Sequence, residues 1–412
     1  MRHQATIVSM RSIFVIYFKS FIKYLLLQLF GLFPVSNNKI VATTMKGRKY
    51  GDNPQFIVEY IKKVLPQVDV VWLTAKGYEY TVPVWIRKIP YTFNLKMLYE
   101  MRTAKVWIDS HRLKSFVKKK NGQYFIETWH GGLGMKKIEM DTEAVRKSQE
   151  QMSELKNTCK LADVFISNSD HLSNIYRKAF GYQGPIWKCG YPKNDILLKD
   201  HSQIANNTRK DLNIINNTKI VLYAPTYRDG FAWRNEKDFS VFDINYEDLK
   251  KAVQERFGGD WTILVKWHPT MIPYIQRNHI YFDNVTDVTE YNNMQGLICA
   301  ADIVISDYSS CIFDAALREI PCFTYAKDFE EYKKTQGTYF EMEELPFPYA
   351  KNNEELIYNI SHYNHDTFLK KWDEFKTKTG LVETGHATKD IAKMIIKILD
   401  GNNENDTLSQ TH

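Results

Sequence analysis

From residue 39 onward, short apolar, β-branched runs alternate with longer amphipathic stretches, the pattern of parallel strands covered by helices. The first series of runs is "KIVATTM" (39–45), "VVWLTA" (70–75), "AKVWIDS" (104–110), "YFIETWH" (124–130) and "DVFISNS" (163–169). The second is "KIVLYAPT" (219–226), "WTILVKWHP" (261–269), "DIVISDYSS" (302–310) and "PCFTY" (321–325). Between them lies "KCGYPKNDILLKDHSQIANNTRKDLNIINN", polar and rich in Asn, which reads as a linker region. The pattern predicts two α/β domains over 36–200 and 201–400, followed by a tail (401–412) with the composition of a disordered segment. His130, Ser169, Thr226, His268 and Ser309 each follow an apolar run directly. In open α/β sheets that edge is where ligands bind.

Ahead of the strands, "RSIFVIYFKSFIKYLLLQLFGLFP" (11–34) is the most apolar stretch of the chain. Lys19 and Lys23 interrupt it at i,i+4 and share one helix face, and Gly31 and Pro34 end it. A spanning helix needs about 20 consecutive apolar residues. A cleaved leader does not carry lysines within its apolar region. Residues 1–35 are therefore expected to lie in the plane of an anionic membrane surface on its cytoplasmic face, with the lysines reaching headgroups. A true span and a helix buried in the fold are the alternatives.

At 412 residues the chain is too long for one ordinary core, and 44% hydrophobic with 25% charged residues is a globular composition. Five cysteines form no CxxC pair, which points to reduced, mostly buried thiols rather than structural zinc. A net charge of +7 suits anionic membranes or phosphorylated substrates. "KSFVKKKNG" (114–122) is the densest basic cluster and reads equally as a solvated loop or an anion site. No RNA-recognition or zinc-finger pattern is present, so nucleic acid is not an expected partner.

Three motifs sit at predicted strand ends. In "KWHP" (266–269), Pro269 fixes the backbone where a helix can start, and His268 is either an anion contact beside unpaired backbone N–H groups or a strand-end histidine paired with a backbone carbonyl. In "ISDYSSCIFDAALREIP" (305–321), Ser309 or Ser310 caps a helix, and two hydroxyls with helix-terminal amides suit a diphosphate. Asp307 and Asp314 have no assigned role, the plain alternative for Asp314, in the first turns of that helix, being that it stabilises the terminus. In "YAPTYRDG" (223–230), Arg228 either clamps a phosphate or pairs with Asp229. There is no DxD, Walker A, GxSxG or HExxH motif. Together these features suggest phosphoryl transfer without a tightly bound metal, Mg²⁺ assistance remaining open.

At this point the chain resembles the CDP-glycerol glycerophosphotransferase family of teichoic acid and capsule polymer synthesis. The resembling stretches are "TWHGGLGMKKIEMD" (128–141), "YAPTYRDG", "KWHP", "DIVISDYSSCIFDAALREIPCFTY" (302–325) and "DFEEYKKTQGTYFEMEELPFP" (328–348). The resemblance implies a GT-B-like fold, two Rossmann-like domains facing across a cleft, with an N-terminal membrane-associating helix. It implies transfer of glycerol phosphate or ribitol phosphate from CDP-glycerol or CDP-ribitol to a lipid-linked saccharide or polymer hydroxyl. His130, in the WHG motif, is then catalytic and His268 contacts donor phosphate. Ser309 and Ser310 bind donor, with Thr226 and Arg228 as weaker carry-overs. Two departures stand out: Gly132-Leu133 replaces the Thr-Pro that many members have after WHG, and "GHATKD" (385–390) offers Lys389 out of place. The first is expected to bear on acceptor positioning or on subfamily. A GT-B glycosyltransferase using a nucleotide sugar, or a catalytically silent partner in a polymer-synthesis complex, is the rival reading.

Overall fold

A computed structural model describes residues 10–215, 217–228, 236–277 and 284–401, with only the backbone described for 10–20 and 236–238. The Lys19 side chain, Asp229 and all of the expected tail except Gly401 lie outside the described residues.

The first sheet contains β1 (Ser36–Ala42), β2 (Asp69–Thr74), β3 (Arg87–Pro90), β4 (Ala104–Asp109), β5 (Tyr124–Glu127), β6 (Val164–Ser167) and β7 (Ile186–Lys188). It is parallel throughout, in the order β3-β2-β1-β4-β5-β6-β7. Alternate side chains of the central strands enter different cores. Ile40, Val70, Trp72, Val106 and Ile108 face one, while Val41, Val71, Leu73 and Trp107 face the other. A sheet buried on both faces has near-continuous apolar strands, which is why these runs lack polar alternation.

The second sheet contains β8 (Lys219–Ala224), β9 (Trp261–Val265), β10 (Thr286–Asp287), β11 (Ile303–Ser306), β12 (Cys322–Tyr325) and β13 (Tyr349–Ala350). Its order is β10-β9-β8-β11-β12-β13, again all parallel. The protein is thus α/β with two parallel sheets. All nine strands read from the apolar runs are present. The four that periodicity missed, β3, β7, β10 and β13, are the four sheet edges.

Five helices matter below: α1 (Met10–Gly31), α2 (Asp52–Val64), α3 (Leu95–Thr103), α4 (Cys311–Ala316) and α5 (Ala387–Leu399). The cores are less separate than a cut at residue 200 implies. Ile391, Ile395 and Ile398 of α5 belong to the first core, and α5 packs on α2. Conversely, Leu133 and Met135 are buried in the second core. The "linker" differs from its expected exposure too: Lys193, Asn194 and Asp195 are buried. Asp195 accepts hydrogen bonds from the N–H groups of Ala387 and Thr388 (2.9 and 2.8 Å), capping α5 from across the chain.

Helix α1 packs against α3, with Leu27 turned inward. Phe21, Tyr24, Leu25, Leu29, Leu32 and Phe33 are exposed. Lys23 lies over the Phe93 ring at 5.1 Å, so it turns toward the body instead of standing free as the expected headgroup contact. Among the described residues no helix is long and apolar enough to cross a membrane. The basic cluster is also absorbed structurally: Lys114 pairs with Glu154, Lys119 with Asp163, and Lys120 donates to the carbonyls of Gly31 and Phe33. That last contact places a cation at the carboxyl end of α1.

Candidate active site

Beyond Glu127 the chain leaves β5, and side chains rather than a ladder hold it. Trp129 has φ +51°, a left-handed conformation that costs roughly 1–2 kcal/mol. Its N–H donates to Glu127 Oε1 at 2.8 Å. Asn53 Nδ2 donates to the carbonyls of Thr128 and Trp129 (3.4 and 3.2 Å). Lys193 Nζ donates to the carbonyl of His130 (3.3 Å), and the Tyr191 hydroxyl to that of Gly131 (3.0 Å). Four successive carbonyls are thereby fixed by residues from α2 and the interdomain crossing.

The half-buried His130 imidazole places Nδ1 2.8 Å from the Ser110 carbonyl. A carbonyl only accepts, so Nδ1 carries the proton and Nε2 keeps its lone pair. Burial pushes the pKa of His130 down, against an opposing pull from Asp52. The neighbouring His111 ring, 5.4 Å away, is held well below its usual range by burial and by His130. Both imidazoles are therefore neutral near pH 7.

The glycine loop after His130 runs straight into the second domain. A Cβ at Gly132 would meet Asn168 Nδ2 at 2.8 Å and Tyr191 at 3.2 Å. Leu133 is 2% exposed in the second core. Met135 accepts from the Tyr339 N–H (2.7 Å), and the Lys137 N–H donates to Gly337 (3.0 Å). A Cβ at Gly134 would stand 3.8 Å from Ser310 Cβ. The Gly132-Leu133 departure thus lies where the His130 loop packs against the second core.

Across this junction, the second sheet presents the other expected residues at the ends of β8, β9 and β11. His268 is exposed; its Nδ1 lies 2.7 Å from Thr270 Oγ1 and accepts the Thr270 N–H at 3.3 Å, which makes Nε2 the protonated nitrogen of the neutral ring. Ser309 Oγ accepts the Cys311 N–H (3.4 Å), while Ser310, the residue before α4, makes no side-chain cap. Helix α4 stops at Ala316, well short of Pro321. Thr226 Oγ1 is buried without a hydrogen-bond partner among the described residues.

Arg228 departs from its expected role. It is 2% exposed, with Nε and Nη2 on Asp328 (2.6 and 3.0 Å) and Nη1 on Asp307 (2.8 Å). Its guanidinium also lies 4.7 Å from the Tyr308 ring and 4.9 Å from that of Phe242. Two carboxylates and an aromatic box already use the donors a phosphate clamp would need. Asp307 in turn accepts the Thr226 N–H (2.8 Å), so Arg228 braces the loop that carries Thr226.

Several residues that sequence reasoning passed over gather here. Lys266 Nζ donates to the carbonyls of Val288, Thr289 and Tyr291, and its pKa falls to about 8 through burial and the nearby Lys49 of the first domain. Lys49 is itself lowered by burial, against Asp52 and with Lys193. Lys136 and Lys193 both act on His130. Glu383, pushed up to about 7 by burial, accepts from Asn168, Asn194 and the Tyr191 N–H. The available signal was "GYPKND" (190–195), just after the short run Ile186-Trp187, which looked too polar to be interior. Among the described residues no group of three His, Cys, Asp or Glu side chains is arranged to hold a metal.

Two parallel-sheet domains whose carboxyl strand ends face one junction define a GT-B-like architecture. The chain belongs to the CDP-Glycerol:Poly(glycerophosphate) glycerophosphotransferase family, whose profile matches residues 25–397. It is 29% identical over 376 residues to the teichoic acid poly(glycerol phosphate) polymerase of Bacillus subtilis (strain 168), covering 88% of this chain and 49% of that protein. The chain therefore spans about half the length of that relative. It is 28% identical over 375 residues to the teichoic acid glycerol-phosphate transferase of Staphylococcus aureus (strain NCTC 8325 / PS 47), covering 88% and 94%. The solved structure of the wall teichoic acid polymerase TagF superposes with a TM-score of 0.77 at 26% identity, covering 92% of this chain and 94% of that one.

Proposed function

We propose that this protein transfers a polyol phosphate, glycerol phosphate foremost, from a CDP-activated donor to a hydroxyl of a lipid-linked or growing teichoic-acid-like or capsule polymer, releasing CMP. The observation that carries this reading is the approach of the His130 loop to Ser310. A Cβ at Gly134, four residues after His130, would stand 3.8 Å from Ser310 Cβ, and the His130 ring itself is neutral with Nδ1 committed to the Ser110 carbonyl. The acceptor oxygen attacks the β-phosphorus in line. A new P–O bond forms as the pyrophosphate bridge breaks, its electron pair leaves with CMP, and the acceptor proton passes to His130 Nε2. His268, the Ser309 and Ser310 hydroxyls and Thr226 offset charge on donor and leaving group.

Incubation with CDP-glycerol, CDP-ribitol or UDP-sugars and a lipid-linked saccharide tests the reading. CMP release with CDP-glycerol is expected, and CDP-ribitol turnover would assign the ribitol branch. Release of UDP alone would replace the proposal with a nucleotide-sugar glycosyltransferase.

The same reading places the protein peripherally on the cytoplasmic face of the membrane, supported by the exposed apolar side chains of α1. Co-sedimentation with phosphatidylglycerol vesicles should be strong for the wild type and fall about tenfold or more for L25D/L29D. Equal binding of both would remove α1 from membrane attachment.

A further inference from the structure

We propose that Lys193 and Asp314 form a positioning couple that sets the His130 loop against the second domain's anion pocket. This inference rests on the reaction proposed above. Lys193 belongs to the interdomain crossing and is anchored to the first domain, where its N–H donates to Asn53 Oδ1 (3.2 Å). Asn53 is the residue that fixes the Thr128 and Trp129 carbonyls. The Lys193 ammonium divides its donors between the His130 carbonyl (3.3 Å) and Asp314 Oδ2 (3.1 Å). Asp314 lies on α4, the helix that follows Ser309 and Ser310. Its other oxygen accepts from Asn194 Nδ2 (3.1 Å), and Gln295 Nε2 stands 3.5 Å from Oδ2.

One buried ammonium therefore touches the peptide of the base and the helix of the donor pocket at once. Burial alone would lower the Lys193 pKa, but Asp314 and Asp52 outweigh it and hold the side chain in its charged form. A buried ion pair is weak evidence for stability, because apolar residues of equal volume often serve as well. What an apolar pair cannot do is hold a carbonyl and a carboxylate in one geometry. A shift of α4 relative to the crossing must then move His130, and a displacement of about 1 Å in a reacting group can cost about 10²-fold in rate.

The test uses the full chain and the variants K193M, K193R, D314N and K193M/D314N. K193M and D314N should lower kcat for CMP release about 10²-fold while CDP-glycerol binding, measured by calorimetry, stays within about threefold. The double variant should be no worse than the poorer single one, since the two residues act as a unit. K193R should recover most of the rate. The imidazole ¹⁵N signals of His130, assigned with H130N, should shift in both single variants. Wild-type kcat in D314N, or unmoved His130 signals in a folded variant, would overturn the proposal. If K193M fails to fold, D314N carries the test, because it preserves volume. Should the wild type release no CMP from any CDP-polyol, the proposed reaction fails, while the His130 spectra still decide the coupling.

Discussion

Replacing His130 with alanine should lower CMP release by ~10²–10⁴-fold, the usual worth of a positioned base, while CDP-glycerol binding changes little. The geometry explains the split. Nδ1 is committed to the Ser110 carbonyl, so Nε2 is the one basic atom the ring offers. The proposed donor contacts, His268, Ser309 and Ser310, are in the other domain, and alanine at position 130 leaves them in place. The pH dependence follows in sign. The base acts in its neutral form, and burial lowers its pKa below the ordinary histidine value. Wild-type kcat should therefore hold its plateau below pH 6.5, the ordinary histidine value, and fall only as pH drops through the lowered pKa. The residual rate of H130A should not show that inflection. Steady-state CMP release between about pH 5 and 8 measures both. Unchanged turnover in H130A would remove this residue from the chemistry.

Substituting Arg228 should act on stability first. Methionine there strips Asp307 and Asp328 of their shared cation, and breaking a buried ion pair by removing one partner typically costs about 3–5 kcal/mol. Lysine cannot restore it, because a single ammonium does not reproduce the fork that spans two carboxylates or the stacking on Tyr308. The denaturation midpoint of R228K should therefore fall clearly below that of the wild type. A phosphate clamp predicts the opposite: near-normal stability with a large rise in donor KM. Denaturant titration alongside donor kinetics separates the two. A fully stable R228K with weakened donor binding would return Arg228 to the role its motif suggested.

Both predictions mark where sequence reasoning reached and where it stopped. The nine inner strands were legible because parallel strands buried on both faces need unbroken apolar runs. The edges were not. β3 reads Arg-Lys-Ile-Pro and β10 is only Thr-Asp, since an edge strand buries too little to require such a run. Strand-end positions of His130, His268, Ser309 and Ser310 followed from the pattern and the motifs, because a polar residue ending an apolar run marks the ligand edge of such a sheet. For Arg228, the sequence showed an arginine on a loop but not Asp328, one hundred residues away, that neutralises it.

What the sequence by itself determined was local: which segments become buried strands, where those strands end, and which family the motifs resemble. Only the tertiary structure decided what those ends face. Leu133 is a loop residue in the sequence, and only the fold shows that it is buried in the opposite core. Lys193 looked like linker until Asn53, His130 and Asp314 closed around it. The reason is physical. A strand is specified by the period of its own neighbours, but a buried cation is specified by partners far along the chain. Those partners offset its desolvation only once both domains have met.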